Sequence, residues 1–350
     1  MISSAQSPRD AVFVNARVYT VNPQQPTANA FSIRDGRFAE VGRNEDVLAA
    51  AEAGTQVLDL GGKTVIPGFI DSHGHLLNLG LSLRQVNVTG TGSYDEVIAA
   101  VKARTDELPA GQWVLGRGWD QNDWPTKDFP VHGPLSAVSP RHPVSLVRID
   151  GHALLANAVA LAYAGIDAET PDPPGGKIHR DADGNPTGVL VDTAMNLVRR
   201  VVPSPTTGEQ IEAIRSAMAE CIMHGITEVH DAGATAATIS LYKGLVDSNA
   251  FPFRVYAMIS SADVPTVNRF FESGPLIGYG DGRLTVRSVK VVADGALGSR
   301  GAAMIEPYSD EPGNTGLIIV PQDALEALTT RALQAGFQVA THAIGDRANR

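Results

Sequence analysis

A chain of 350 residues, 43% hydrophobic and 19% charged, has enough apolar material for a large core and too few charges for a disordered chain. Its formal net charge of -10 lacks the basic footprint that nucleic acid or an anionic membrane surface demands, so a neutral or cationic small molecule is the easier ligand. The single cysteine, Cys221, excludes an intrachain disulfide. With no apolar leader at the N-terminus and no run of 18 apolar residues, the expectation is a cytoplasmic protein, with Cys221 a small apolar core residue on a helix.

Residues 11–66 contain short alternating runs at 12–20, 31–41 and 56–60, which predict a small module of antiparallel strands. Asp35-Gly36 between two apolar stretches predicts a type I′ hairpin, whose central residues need positive φ. The apolar run 65–71 is the next strand, and it leads into His73-Gly74-His75. Side chains alternate faces along a strand, so His73 and His75 point the same way, roughly 6.5 to 7 Å apart along the chain. Two imidazoles at that spacing can grip one cation; a polar turn leaving the strand is the plainer alternative.

The long segment that follows has strands of its own at 113–116 and 144–149, a capping box at Ser93-Tyr94-Asp95-Glu96, and a hairpin at Asp183-Gly184. Leaving the first strand at its C-terminal end, such an insertion would hang over a site there as a lid or specificity wall. From residue 226 the pattern becomes strand then helix. Strands are predicted at 226–230, 253–260, 284–293 and 337–343, with helices reaching about 246, near 266–272 and at 322–334. This alternation predicts a parallel sheet.

Polar residues gather at the C-terminal ends of these strands: Asp71 to His75, His230-Asp231, Lys290 to Asp294, and His342 to Asp346. That placement predicts an α/β fold of the (β/α)8 TIM-barrel type. About five barrel strands are present, so the sequence reads as C-terminally truncated. The expected organisation is 1–64 as the N-terminal part of a β-sandwich module, 65–81 as the first barrel strand with its metal motif, 82–205 as an inserted α+β subdomain, and 206–350 as the remaining strands and helices. A doubly wound open sheet is the structural alternative, although no Gly-x-Gly-x-x-Gly turn supports it.

His73, His75 and His342 are neutral imidazole donors suited to zinc, which keeps an open position in catalytic sites. Lys290, in Ser288-Val289-Lys290-Val291-Val292, is costly to bury as an ammonium. Either a depressed pKa lets its amine react with carbon dioxide to a metal-bridging carbamate, or it pairs with Asp294 or a neighbouring carboxylate.

The residues at this point resemble the metal-dependent amidohydrolase superfamily, and within it the amidohydrolase 3 branch that includes N-substituted formamide deformylase. The resemblance covers essentially the whole chain. Beyond the segment from Val65 to Leu76, it rests on Gly118-Trp119-Asp120-Gln121-Asn122, on Asp150-Gly151-His152-Ala153 with Asn157, and on Pro174-Gly175-Gly176-Lys177-Ile178 with Gly184-Asn185-Pro186-Thr187-Gly188. It also includes the segment from Val289 to Arg300 and His342-Ala343-Ile344-Gly345-Asp346.

The resemblance implies that the first-strand histidines bind metal, that the fourth-strand lysine is often carboxylated and bridging, and that the fifth-strand histidine is a further ligand. His73, His75, Lys290 and His342 fill those positions, for one or two Zn2+ or other divalent ions. The family's sixth-strand histidine and its eighth-strand aspartate, ligand and general base, would lie beyond residue 350, so the catalytic residue is unknown; such a base is worth roughly 10² to 10⁴ in rate. Asp231 and Asp294 are conceivable substitutes, with an orienting or turn role as the alternative.

Trp119, Asp120, Asn122 and His152 from the insertion, with His230 and Asp294, are the candidate substrate-pocket residues. His132, His142, His179 and His224 read as surface residues. The implied reaction is metal-assisted hydrolysis of an amide or N-substituted formamide, a non-peptide carbon–nitrogen bond. Its partner is a small-molecule amide, with no nucleic acid or membrane, and a homo-oligomer is left open. The alternatives are a catalytically inactive metal-binding fragment and a related hydrolase of cyclic amides or esters.

Overall fold

The computed structural model describes residues 10–174, 176–297, 301–309 and 312–350, and of Asp192 the backbone alone. Gly175 and residues 298–300 of the quoted motifs, and residues 1–9 of the N-terminal segment, lie outside the described residues. Contacts divide the chain into two compact units, Met1–Asp71 with Gly225–Glu228 and Ser72–His224 with Val229–Arg350. Among the described residues, no helix is long and apolar enough to cross a membrane.

The first unit contains a four-stranded and a three-stranded sheet. Ala30–Arg34 and Arg37–Gly42 form the expected hairpin, with Asp35 at φ 51° and Gly36 at φ 75°, the signs a type I′ turn requires. The module is not purely antiparallel, however. Ala11–Val14 runs parallel to Gln56–Asp59, and Arg17–Tyr19 parallel to Thr64–Val65. Parallel neighbours need a crossover, and the helix Asn44–Ala49 lies on the path between the strands. It has no side-chain cap bond to advertise it, yet Val47 joins Val12, Val14 and Ala30 in the core.

The second unit contains the insertion, with a six-stranded sheet built from Val86–Asn87, Val114–Trp119, Val144–Arg148, Ala153–Ala156, Pro186–Asp192 and Gly176–Arg180, in that spatial order. Its first three strands are parallel and the rest antiparallel. Two apolar clusters fill it, one around Trp119, Leu146 and Leu155, the other around Leu154, Ile178 and Leu190. Ser93 caps the helix Tyr94–Glu107 by accepting from the Glu96 N–H, and the Glu96 carboxylate reaches back to Gly92. Glycine at Gly184, with φ 86°, closes the loop between Gly176–Arg180 and Pro186–Asp192.

The remaining strands make one sheet: β1 (Phe69–Gly74), β2 (Ile226–Ala234), β3 (Arg254–Ser260), β4 (Leu284–Val292) and β5 (Gln338–His342). Their spatial order is their chain order, with Leu276–Gly278 pairing antiparallel on β4. β3, β4 and β5 are parallel, Lys290 lying between Ser260 and Ala340, and Val292 beside His342. A doubly wound sheet reverses direction at a switch point; these five strands never do.

The helix Leu76–Leu83, which follows β1, packs against Thr207–Met223. The longer helix starts with a reciprocal cap between Thr206 and Glu209. The helices meet at Gly80, where a Cβ would lie 1.8 Å from the Ala213 carbonyl oxygen. Gly80→Ala is therefore expected to force the helices apart and cost about 1–3 kcal/mol. A lowered urea midpoint at unchanged slope would show this, and an unchanged midpoint would contradict the packing described.

Candidate metal centre

β1 ends at Gly74, and His75 occupies the N-cap position of the following helix, its carbonyl accepting from Leu79 at 2.8 Å. His73 and His75 are both exposed, and their ring centroids lie 5.6 Å apart with planes at 72°. Two imidazoles sharing an ion at Zn–N distances of roughly 2.0–2.1 Å hold their centroids roughly 5 Å apart. The observed separation is close to that value.

The turn carrying His75 is held from β2. Asp231 is buried; its Oδ1 accepts the Leu76 N–H at 3.0 Å and its Oδ2 the Tyr242 hydroxyl at 2.7 Å. Burial pushes the Asp231 carboxyl above the ordinary range, against the pull of these two donors and of His75. Tyr242, also wholly buried, is raised by desolvation and by the adjacent carboxylate.

The same device recurs at the other histidine. Asp294, two residues past β4 and fully buried, accepts from Ile344 at 2.9 Å, Gly345 at 2.8 Å and Ala303 at 2.9 Å. Two of those donors lie just beyond His342. Burial works to raise the Asp294 carboxyl, but the backbone donors and His342 prevail and hold it below its ordinary value. The His342 Nε2 lies 3.4 Å from the Gly295 carbonyl and 3.8 Å from Asp294 Oδ1. A proton on Nε2, shared with that carbonyl, leaves the Nδ1 lone pair free to bind.

Lys290 projects from β4 half-buried, and desolvation lowers its pKa. Asp294 spends its oxygens on backbone groups, and among the described residues it forms no ion pair with Lys290. Among the described residues, no three His, Cys, Asp or Glu side chains converge as a ready-made ligand cluster. The structure brings His73 and His75 together and places Lys290 and His342 on the neighbouring strands β4 and β5.

Trp119 has no exposed surface and donates Nε1–H to the Leu146 carbonyl at 2.8 Å, and Asp294 is enclosed, so neither presents an atom to a ligand. Asp120 caps the turn Gln121–Asp123 by accepting from Asn122, and pairs with Arg148 Nη2 at 2.6 Å. Arg148 also donates to Gln121 Oε1 at 2.9 Å and to Asp150, whose other oxygen accepts the His152 N–H at 3.0 Å. Arg148 thus ties the Gly118 to Asn122 motif to the Asp150 to Ala153 motif. Its only sequence signal is a lone arginine ending the apolar strand Val144–Arg148.

His230, on β2, packs its ring on Tyr256 of β3 at 4.9 Å. Of the histidines expected on the surface, His224 is exposed beside Glu220. His142 is not: it is 2% exposed, its Nδ1 bonded to the Gln112 carbonyl at 3.0 Å. His132 and His179 are half-buried, on Ser136 and Phe129 respectively.

Comparison with known proteins adds four findings. The model of the amidohydrolase family matches residues 56–350. The protein LONG AFTER FAR-RED 3 of Arabidopsis thaliana is 35% identical over 97% of this chain and 60% of its own length. The N-substituted formamide deformylase of Arthrobacter pascens is 30% identical over 97% of this chain and 64% of its own length. A metal-dependent hydrolase of Pyrococcus horikoshii, known from its crystal structure, superposes with a TM-score of 0.76 at 27% identity, over 97% of this chain and 66% of that one. The chain therefore spans between 60% and 66% of the length of these three proteins.

The two carboxylates should respond differently to Asn. In Asp231→Asn the amide oxygen still accepts from Leu76, but the buried Tyr242 O–H loses its acceptor, so a cost of about 1–3 kcal/mol is expected at neutral pH. In Asp294→Asn at least one backbone N–H must face an amide NH2, an expected cost of about 1–3 kcal/mol. The pH dependence should differ. The lowered Asp294 pKa gives stability that is present above the ordinary carboxylate value and lost as pH falls through the folded value, so only Asp294→Asn should flatten that acid limb. Urea unfolding from pH 3 to 8 distinguishes the two, and an acid limb unchanged in Asp294→Asn would contradict the geometry.

Proposed function

The chain belongs to the amidohydrolase family, and from that premise we propose that it carries a divalent-metal site for hydrolysing a non-peptide carbon–nitrogen bond, in an amide or N-substituted formamide. The observation that carries the proposal is the His73 and His75 pair, its rings 5.6 Å apart at the end of β1. The formamide deformylase relative supports the bond class. The unbroken order of β1 to β5 supports reading them as successive strands of a (β/α)8 barrel, with the polar strand ends on the C-terminal face.

His73, His75 and His342 would hold the cation, with zinc the first candidate for an imidazole-rich site. Such an ion polarises a carbonyl and makes water a competent nucleophile near neutral pH. Lys290 has the half-buried amine, below its ordinary pKa, that carbamate formation needs. The ammonium would lose one proton, and the neutral amine would then attack carbon dioxide, form an N–C bond and release a second proton, so that a cation becomes an anionic carbamate able to serve as a ligand. Asp231 and Asp294 keep the turns after His75 and His342 in place through backbone bonds, and so fix the directions from which the imidazoles approach.

Elemental analysis of the purified chain should find about one or two zinc equivalents that are lost in the His73→Ala/His75→Ala double variant. Formate release from N-formyl amines should disappear with them. Metal that persists in the double variant would remove the site, and a metal-loaded parent that cleaves no N-formyl or N-acyl amine would remove the reaction. Lys290→Arg, which keeps the charge but cannot form the carbamate under these conditions, should lower the metal content relative to the parent; unchanged content would argue that Lys290 is not a ligand.

A further inference from the structure

A cavity of about 400 Å³ opens beside His75, in the size range of small-molecule sites. Leu77 and Leu81, four residues apart and hence on one face of the helix Leu76–Leu83, form one wall. Pro205 and the small residues Ala232, Ala234 and Ala237, around the exit of β2, form the other. The space exists because those last three side chains are single methyl groups.

His75 apart, the polar side chains of the lining offer no positive charge. Asp231 borders the cavity, but its oxygens are engaged by Leu76 and Tyr242. Gln210 commits its Nε2 to the Pro205 carbonyl at 2.8 Å. Among the described residues, no lysine or arginine lines the cavity, so a carboxylate on the substituent, away from the cation proposed at His75, would have no counter-ion of its own and would lie near the Asp231 carboxyl.

We propose that this cavity is the subsite for a bulky, uncharged substituent of the substrate, an alkyl or cycloalkyl group attached next to the bond cleaved at His75. The proposal rests on the hydrolase reading above and deepens it: substrates with a neutral hydrophobic substituent are favoured over small ones and over those bearing a carboxylate. Ala237, exposed in the first turn of the helix Ala236–Asp247, is the residue through which selectivity can be changed without disturbing the core.

The test compares the parent chain with Ala237→Phe, which fills the cavity, and Asn78→Lys, which puts a cation on its exposed rim. Binding of N-cyclohexylformamide is read by saturation-transfer NMR, and turnover by formate release. The parent should bind this probe and prefer it to N-methylformamide. Ala237→Phe should lose the binding and lower the preference at least about tenfold. Asn78→Lys should gain binding of N-formylglycine, which the parent rejects. Absence of probe binding in the parent, or unchanged binding and selectivity in Ala237→Phe, overturns the subsite. Probe binding lost in Ala237→Phe, without formate release from any formamide in the parent, overturns the hydrolase reading and leaves the subsite standing.

Discussion

A buried carboxylate that accepts backbone N–H groups from the neighbouring strand's exit turn is the interaction on which the proposed metal site depends. It occurs twice. Asp231 within β2 takes the N–H of Leu76, and Asp294 beyond β4 takes those of Ile344 and Gly345. Each turn follows immediately on a histidine, His75 or His342. A metal site needs its ligands held within narrow limits of direction, and loops at strand ends do not supply that by themselves. Here the rigidity is borrowed from the adjacent strand. The expense of desolvating a carboxylate is met differently in the two places, with three backbone donors at Asp294 and a buried tyrosine hydroxyl at Asp231. That difference is why their pKa values move in opposite directions.

The sheet explains why such brackets are available. With β1 to β5 adjacent in chain order, each exit turn has the next or previous exit turn as its neighbour, so a short Asp side chain can span the gap. The same order places Lys290 of β4 beside the strand that ends in His342. The insertion has an equivalent hub of its own. Arg148 joins Asp120, Gln121 and Asp150, and this network holds together two motifs about 30 residues apart in sequence.

Much of this was legible in the sequence because it depends on local period. The strand and helix rhythm after residue 226 gives the parallel sheet, and Asp35-Gly36 gives its hairpin; His73 and His75 do lie together, although His75 is already the N-cap beyond β1 and not a strand residue. The bounds of the helix Gln322–Gln334 follow from its spacing. What was not legible depends on long-range contacts. Asp294 reads as a polar strand end facing a pocket, and only its bonds to Ile344 and Gly345, 50 and 51 residues away, show it to be enclosed. Trp119 reads as a pocket aromatic until its N–H is found on Leu146 inside the insertion core. His142 reads as a loop histidine until the Gln112 carbonyl meets its ring. The parallel pairings of the N-terminal module were hidden because the six-residue helix Asn44–Ala49 carries no side-chain cap signal.

The central claim is that the strand-end histidines together form the first coordination shell of a divalent cation. X-ray absorption spectroscopy at the zinc edge, on the chain loaded with one equivalent of zinc, tests it most directly. The account predicts backscattering from at least about two imidazoles at roughly 2.0–2.1 Å with oxygen completing the shell, and a loss of imidazole scattering in His73→Ala and in His75→Ala. A zinc shell without imidazole, or one unchanged by either substitution, would contradict it.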